Sequence, residues 1–252
     1  MKLLIIGNSQ AGALKRAWEA RHNTAETAGI EMFFNVIPGG IGPDFLVVDG
    51  RLAVGSHGEK FPPYCAPPVT IDMSLNDFDA ILISALGHFD GGFAYTNQIT
   101  RAAVLADCGP RGEALKRAPV SDSCMGDLMA EMLELQPGIR TLRRVCRAYE
   151  GPIYVQRFPR ISEAILEHAN WGLRLWYEAP AKAHRILAEL RDSAMEEIAN
   201  GTGARLLDYP DFDHPRGFSP RAMMRDSDCI HQSDAYADLI LDQLCERLGI
   251  VT

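Results

Sequence analysis

The stretch KLLIIGNSQAGALKRAW, residues 2–18, carries the pattern from which the fold can be read. Leu3, Leu4, Ile5 and Ile6 form an uninterrupted apolar run, as a strand buried on both faces requires. Gly7 closes that run, and Leu14, Ala17 and Trp18 then recur on one side of a helix. The reading is strand, turn, helix. Ser9 stands at the joint, directly after the strand and at the opening of the helix. It is either a nucleophile or one more residue of a glycine-containing turn.

The same grammar repeats along the chain. Apolar runs at residues 32–37, 80–84, 152–156 and 204–209 read as further strands, the first two ending in the glycine-bearing loops PGG and ALGHFDGG. Ser121 is a natural N-cap for a helix whose inner face is Met125, Leu128, Met129, Met132 and Leu133. A second helix lies within residues 179–201, with Ile186, Leu187, Leu190, Ala194 and Ile198 at helical spacing and Asn200 and Gly201 to stop it. The last begins at about Ser233, with Ala237, Ile240, Leu241, Leu244 and Leu248 facing inward.

Short apolar strands alternating with amphipathic helices imply an α/β fold, a parallel sheet covered by helices on both faces, with ligands beyond the carboxyl ends of the strands. One segment departs from the alternation. FLVVDGRLAV, residues 45–54, has Asp49-Gly50 between two apolar runs and predicts a hairpin. With the proline-rich FPPYCAPP that follows, residues 41–70 read as an insertion near the site within one domain spanning 1–252.

Composition narrows the function. The chain has 252 residues, 47% hydrophobic and 23% charged, with a net charge of −8 and no dense Lys/Arg run, so nucleic acid is not an expected partner. No apolar stretch approaches the roughly 20 residues of a membrane helix, and the N-terminal run is too short for a signal-peptide core, so a cytoplasmic protein without membrane contact is expected. Six cysteines are scattered without CxxC pairs, which suits reduced thiols and indicates neither zinc nor disulfides. No cofactor and no metal is expected.

A nucleophilic serine needs a base, a carboxylate to orient that base, and donors for the oxyanion that forms on attack. Near the far end of the chain, RDSDCIHQSDAYADLI presents Asp228 and His231 just before the last helix. Their i, i+3 spacing in a turn can set a carboxylate beside the imidazole.

With GNSQ at Gly7 and DCIH at Asp228, the chain resembles the SGNH, or GDSL-like, serine hydrolase superfamily, which has a G-[DN]-S block after its first strand and a DxxH block before its C-terminal helix. The resemblance implies a three-layer, doubly wound, flavodoxin-like fold with five parallel strands. It also implies Ser9 as nucleophile, His231 as general base and then acid, and Asp228 as the residue orienting His231. The Ser9 N–H would be one oxyanion donor, and a glycine after the second strand another, Gly39 before Gly40. In the third block the family has GxND, with the asparagine amide as donor. Here the segment is GHFD, residues 87–90, with Phe89 in the asparagine's place, so His88, or Asn97 from the same loop, would have to substitute. Loss of one such donor costs on the order of 100-fold in rate. Asn8, Gly40 and Arg157 are candidate substrate-binding residues.

Competing readings are specific. Gly7 and Gly12 hold the outer places of a GxGxxG dinucleotide fingerprint, but Ser9 occupies the middle glycine's place and FFNVIPGG offers no acidic residue for a ribose. Asp228 and His231 taken alone fit helix caps, and Asp226 competes with Asp228 for the orienting role. His88 is by default a loop histidine. DFDH, residues 211–214, reads as a solvated loop before a metal site. Arg157 and Arg160 either meet an anionic substrate group, are solvated, or pair with carboxylates such as Glu163. The methionine-rich helix reads as core.

The expectation is a serine esterase acting on a small acyl ester or acylated carbohydrate, an acetylated sugar being the analogue drawn from the family. An O-acyltransferase of polysaccharide assembly with the same triad is the first alternative. A catalytically silent glycan- or nucleotide-binding module is the second.

Overall fold

The computed structural model describes residues 1–22, 29–36, 45–54, 73–84, 102–104, 118–160, 162–164, 181–211, 218–225 and 231–250. In chain order the elements are β1 (Lys2–Gly7), α1 (Ser9–His22), β2 (Glu31–Val36), β3 (Phe45–Val48), β4 (Arg51–Val54), β5 (Met73–Ser74), β6 (Ala80–Ser84), β7 (Ala102–Val104) and β8 (Ala118–Val120). Then come α2 (Asp122–Glu134), α3 (Pro137–Ala148), β9 (Ile153–Gln156), α4 (Ala181–Thr202), β10 (Arg205–Leu207) and α5 (Asp234–Arg247).

Five strands form one parallel sheet in the order β10-β9-β6-β1-β2. Counted along the chain within the sheet this is 2-1-3-4-5, the flavodoxin-like order, and the direction of winding reverses between β1 and β6. The register aligns Val36, Gly7, Ser84, Gln156 and Leu207 in a row at the carboxyl edge. Residue alternation splits the core in two. Leu3, Ile5, Leu82 and Tyr154 pack under α1 and α5, whereas Leu4, Ile6, Ile81, Ile83, Ile153 and Val155 pack under α2, α3 and α4. That is the three-layer, doubly wound α/β architecture, and it explains why these strands are apolar on both faces.

The hairpin at residues 45–54 forms as the sequence predicts. Val48 pairs with Arg51, and Asp49 and Gly50 take φ of 50° and 72°, the left-handed pair that a type I′ turn needs. β5 adds a third antiparallel strand through Leu52 and Met73. The remainder of the 41–70 insertion lies outside the described residues.

Elsewhere the structure corrects the sequence reading. α4 runs past Asn200 and Gly201 to Thr202, and Gly203 ends it at φ 75°. Ala204 N–H donates to Ala199 O and Gly203 N–H to Asn200 O, so the carbonyls of the last turn are satisfied only when the left-handed residue is at 203. β10 is three residues long, where residues 204–209 were expected. The sequence reading did not include α3, nor the short parallel pair β7 and β8. α3 buries Ile139, Leu142 and Val145 on one side, a stripe at helical spacing interrupted in the sequence by Arg140, Arg143 and Arg144.

Candidate active site

Ser9 sits where the sheet reverses its winding. β1 ends at Gly7 against Ser84 of β6, and a Cβ on Gly7 would lie 2.5 Å from Ala11 Cβ and 2.9 Å from Ser84 O. Glycine is required because the first turn of α1 and the end of β6 both close on this backbone. Asn8 is the N-cap of α1. Its Oδ1 accepts the Gln10 N–H at 3.0 Å and its backbone carbonyl accepts the Ala11 N–H at 3.0 Å. Ser9 is thus the first residue of the helix, and no described residue accepts its N–H. Its hydroxyl stands at the positive end of α1 and at the carboxyl edge of the sheet.

His231 arrives from the other end of the chain. An antiparallel bridge joins Met224 to Gln232, with Arg225 N–H donating to His231 O at 2.9 Å and Ser233 N–H to Met223 O at 3.0 Å. Ser233 caps α5, its hydroxyl accepting the Tyr236 N–H at 3.3 Å. α5 lies along α1, joined by Arg16 to Asp234 and by Arg21 to both Asp238 and Asp242. The result is a 2.7 Å hydrogen bond between His231 Nε2 and Ser9 Oγ, bridging 222 residues of sequence.

Beneath that pair lies a hydrogen-bonded chain that the sequence reading missed. Ser84 Oγ donates to Gln156 Oε1 at 2.6 Å, and Gln156 Nε2 donates to Gln232 Oε1 at 2.7 Å. Gln232 Nε2 donates to Gln10 O at 2.8 Å, while Gln232 N–H donates to Gln10 Oε1 at 2.9 Å. All four side chains are at most 1% exposed. The available signal was slight, since Ser84 and Gln156 are merely the polar residues that end the runs AILIS and IYVQ.

Among the other candidates, Gly39, Gly40, His88, Phe89, Asn97, Asp226 and Asp228 lie outside the described residues, as do the last three residues of DFDH. Asn8 is held in its capping role. Arg157 is turned toward α4, because it alternates with Gln156 and shares the face of Val155. Its guanidinium donates to Glu196 Oε1 at 2.8 Å and to Asp192 O at 3.4 Å. Arg160 pairs with Asp192 at 3.1 Å and lies over the Tyr209 ring. Both arginines are therefore engaged by carboxylates of α4. Tyr209 Oη donates to Asp192 Oδ1 and accepts from Arg191, and removal from water pushes its pKa up to about 12.

Among the described residues, one cleft of about 730 Å³ runs along β10 with Arg157, Arg205 and Arg247, and another of similar volume lies between α1 and β2 with Trp18 and Phe34. Among the described residues Cys124, Cys146 and Cys245 are free thiols, no three His, Cys, Asp or Glu residues gather as a metal site, and no helix is long and apolar enough to cross a membrane.

No family model matches the sequence, and no curated protein matches it either. Among solved structures, the chain is similar to an alpha/beta hydrolase enzyme from the metagenome of Lake Arreo, Spain, at 14% identity over 100% of this chain and 96% of that one, with a TM-score of 0.43. It is similar to a catalytic mutant of an acetylxylan esterase from Geobacillus stearothermophilus, at 13% identity over 99% of this chain and 94% of that one, TM-score 0.42. A family two carbohydrate esterase from Clostridium thermocellum aligns at 13% identity over 99% of this chain and 64% of that one, TM-score 0.38. Likenesses this distant carry no argument about activity, and the chemistry has to be read from Ser9 and His231 themselves.

Proposed function

We propose that the chain is a single-domain, serine-dependent ester hydrolase acting on a small acyl ester, acetylated carbohydrate included. The observation that carries the proposal is the 2.7 Å bond from His231 Nε2 to Ser9 Oγ, formed at the carboxyl edge of a doubly wound sheet.

In this reading Ser9 Oγ attacks the acyl carbonyl carbon while His231 Nε2 takes its proton. The negative oxygen of the tetrahedral intermediate is held by the Ser9 N–H at the positive end of α1. Collapse breaks the ester C–O bond, and the departing alcohol takes the proton from His231. Water then attacks the acyl-Ser9 carbonyl, losing its proton to His231, and the second collapse returns the proton to Ser9 Oγ and releases the carboxylic acid. Asp228 is proposed to accept from His231 Nδ1–H. Gly39 and His88 are proposed as further oxyanion donors and Gly40 as a substrate contact, all on the sequence alone.

Steady-state hydrolysis of 4-nitrophenyl acetate and of acetylated xylo-oligosaccharides tests the proposal. Ser9→Ala and His231→Ala should each lower kcat/KM by on the order of 1,000-fold or more, and Asp228→Asn by a comparable factor. Turnover that survives Ser9→Ala refutes the mechanism. Acyl release that requires an added acceptor alcohol would shift the reading to acyl transfer by the same residues.

A further inference from the structure

The buried amide chain meets the catalytic pair through two of its members, Gln10 and Gln232. Gln10 follows Ser9 and Gln232 follows His231, and the two glutamines bond reciprocally, each side chain reaching the other's backbone. Ser9, Gln10, Gln232 and His231 therefore form a closed ring in which the Ser9–His231 bond is one of three noncovalent links.

The polarity of the chain is fixed. Gln232 N–H can only donate, so Gln10 must present Oε1 to it, and Gln10 O can only accept, so Gln232 must present Nε2. That leaves Gln232 Oε1 to accept from Gln156 Nε2, and Gln156 Oε1 to accept the Ser84 hydroxyl proton. Two backbone groups thus set every amide in the chain, and Ser84 and Gln156 anchor it to neighbouring strands that are in register at those residues. Turning over Gln10 or Gln232 would set a buried donor against a donor, and turning over Gln156 would set its Oε1 against Gln232 Oε1.

We propose that Gln232 and Gln10 are positioning residues that lock the His231 segment to the Ser9 turn and so hold Nε2 within bonding distance of Oγ. The geometric claim stands apart from the esterase reading, and only its kinetic readout rests on that reading. Displacing the imidazole by about 1 Å is enough to cost on the order of 100-fold in rate.

The test uses the full chain labelled with 15N. Long-range 1H–15N spectra at alkaline pH read whether His231 Nε2 accepts a hydrogen bond, with Ser9→Ala as the reference for its loss. In Gln10→Met/Gln232→Met, which removes both side-chain partners together, the imidazole signal should move to the Ser9→Ala position. Ester turnover should fall about 10- to 100-fold in kcat with KM changed less than about twofold. Ser121→Ala is the control for destabilisation alone, since it removes a helix cap on the opposite face of the sheet. It should leave the imidazole signal where the parent has it.

If the double variant fails to fold, Gln10→Met alone removes one of the two clamp bonds and should shift the signal part of the way. A folded variant that keeps the parent's imidazole signal and kcat overturns the proposal, whatever it does to stability. A parent whose signal already matches Ser9→Ala overturns it as well. A parent that hydrolyses no ester, but loses the imidazole bond on removal of the clamp, sinks the esterase reading and leaves the clamp standing.

Discussion

The residues on either side of Asn8 are held by different constraints. Gly7 is fixed by space, since any side chain meets Ala11 and the end of β6, and Ser9 by the hydrogen bond to His231. Gly7→Ala should therefore destabilise the fold by about 1–3 kcal/mol, as overpacking does, in urea denaturation. It should also slow ester turnover, because relief of the clash displaces the turn that carries Ser9. Stability unchanged within about 0.5 kcal/mol would show that the close approach is not present in solution. At this scale the sequence was informative where chemistry is compressed into adjacent residues. GNS named the nucleophile candidate, and DCIH the histidine that the structure brings to it. It was silent on Gln10, Ser84, Gln156 and Gln232, which come from four separate segments and have no shared spacing. Arg157 has its own local constraint. Its position after a strand suggested a ligand, but strand alternation sends it to the α4 face, where Glu196 receives it.

Among the elements, α1 and α5 matter most for the site, because one begins with Ser9 and the other follows His231. Their ion pairs, at the surface for Arg16 and half-buried for Arg21, contribute on the order of 1 kcal/mol or less each, so the cap of α5 is at least as sensitive a point. Ser233→Ala removes the acceptor for the Tyr236 N–H and should cost about 1 kcal/mol in urea denaturation. No loss of stability would contradict the capping role. Helices with an unbroken apolar stripe and a clear cap were legible, as with Ser121 and Met125, Met129 and Leu133 of α2. α3 was not, because its stripe is narrow and its arginines dominate the local composition. The end of α4 was misplaced by two residues because Asn200, Gly201 and Gly203 all suit a C-cap, and only the backbone shows which is left-handed.

For the whole molecule, the parallel sheet followed from the strands being apolar on both faces, and its strand order is the one expected. The layers also bury titratable hydroxyls between them. Burial raises the pKa of Tyr209 to about 12, and burial also holds that of Tyr236 well above the ordinary tyrosine range. The folded chain therefore holds these protons where the unfolded chain, with ordinary tyrosines, has begun to lose them near about pH 10. Stability is fully present below that pH and falls as pH rises from about 10 through 12 for Tyr209, by about 1.4 kcal/mol per pH unit, with Tyr236 adding to the decline. Urea midpoints measured from pH 9 to pH 12 should show this decline, and Tyr209→Phe should make it shallower; a flat profile would contradict the burial of both hydroxyls.

The activated serine itself is tested most directly by intact-mass analysis after reaction with a small fluorophosphonate, comparing the parent chain with Ser9→Ala and His231→Ala. A serine activated by His231 gives a single adduct on the parent, mapped to Ser9 by peptide mass, and none on either variant. A folded parent that takes up no adduct, or one that is labelled equally well without His231, would mean that Ser9 is not a nucleophile activated by that histidine.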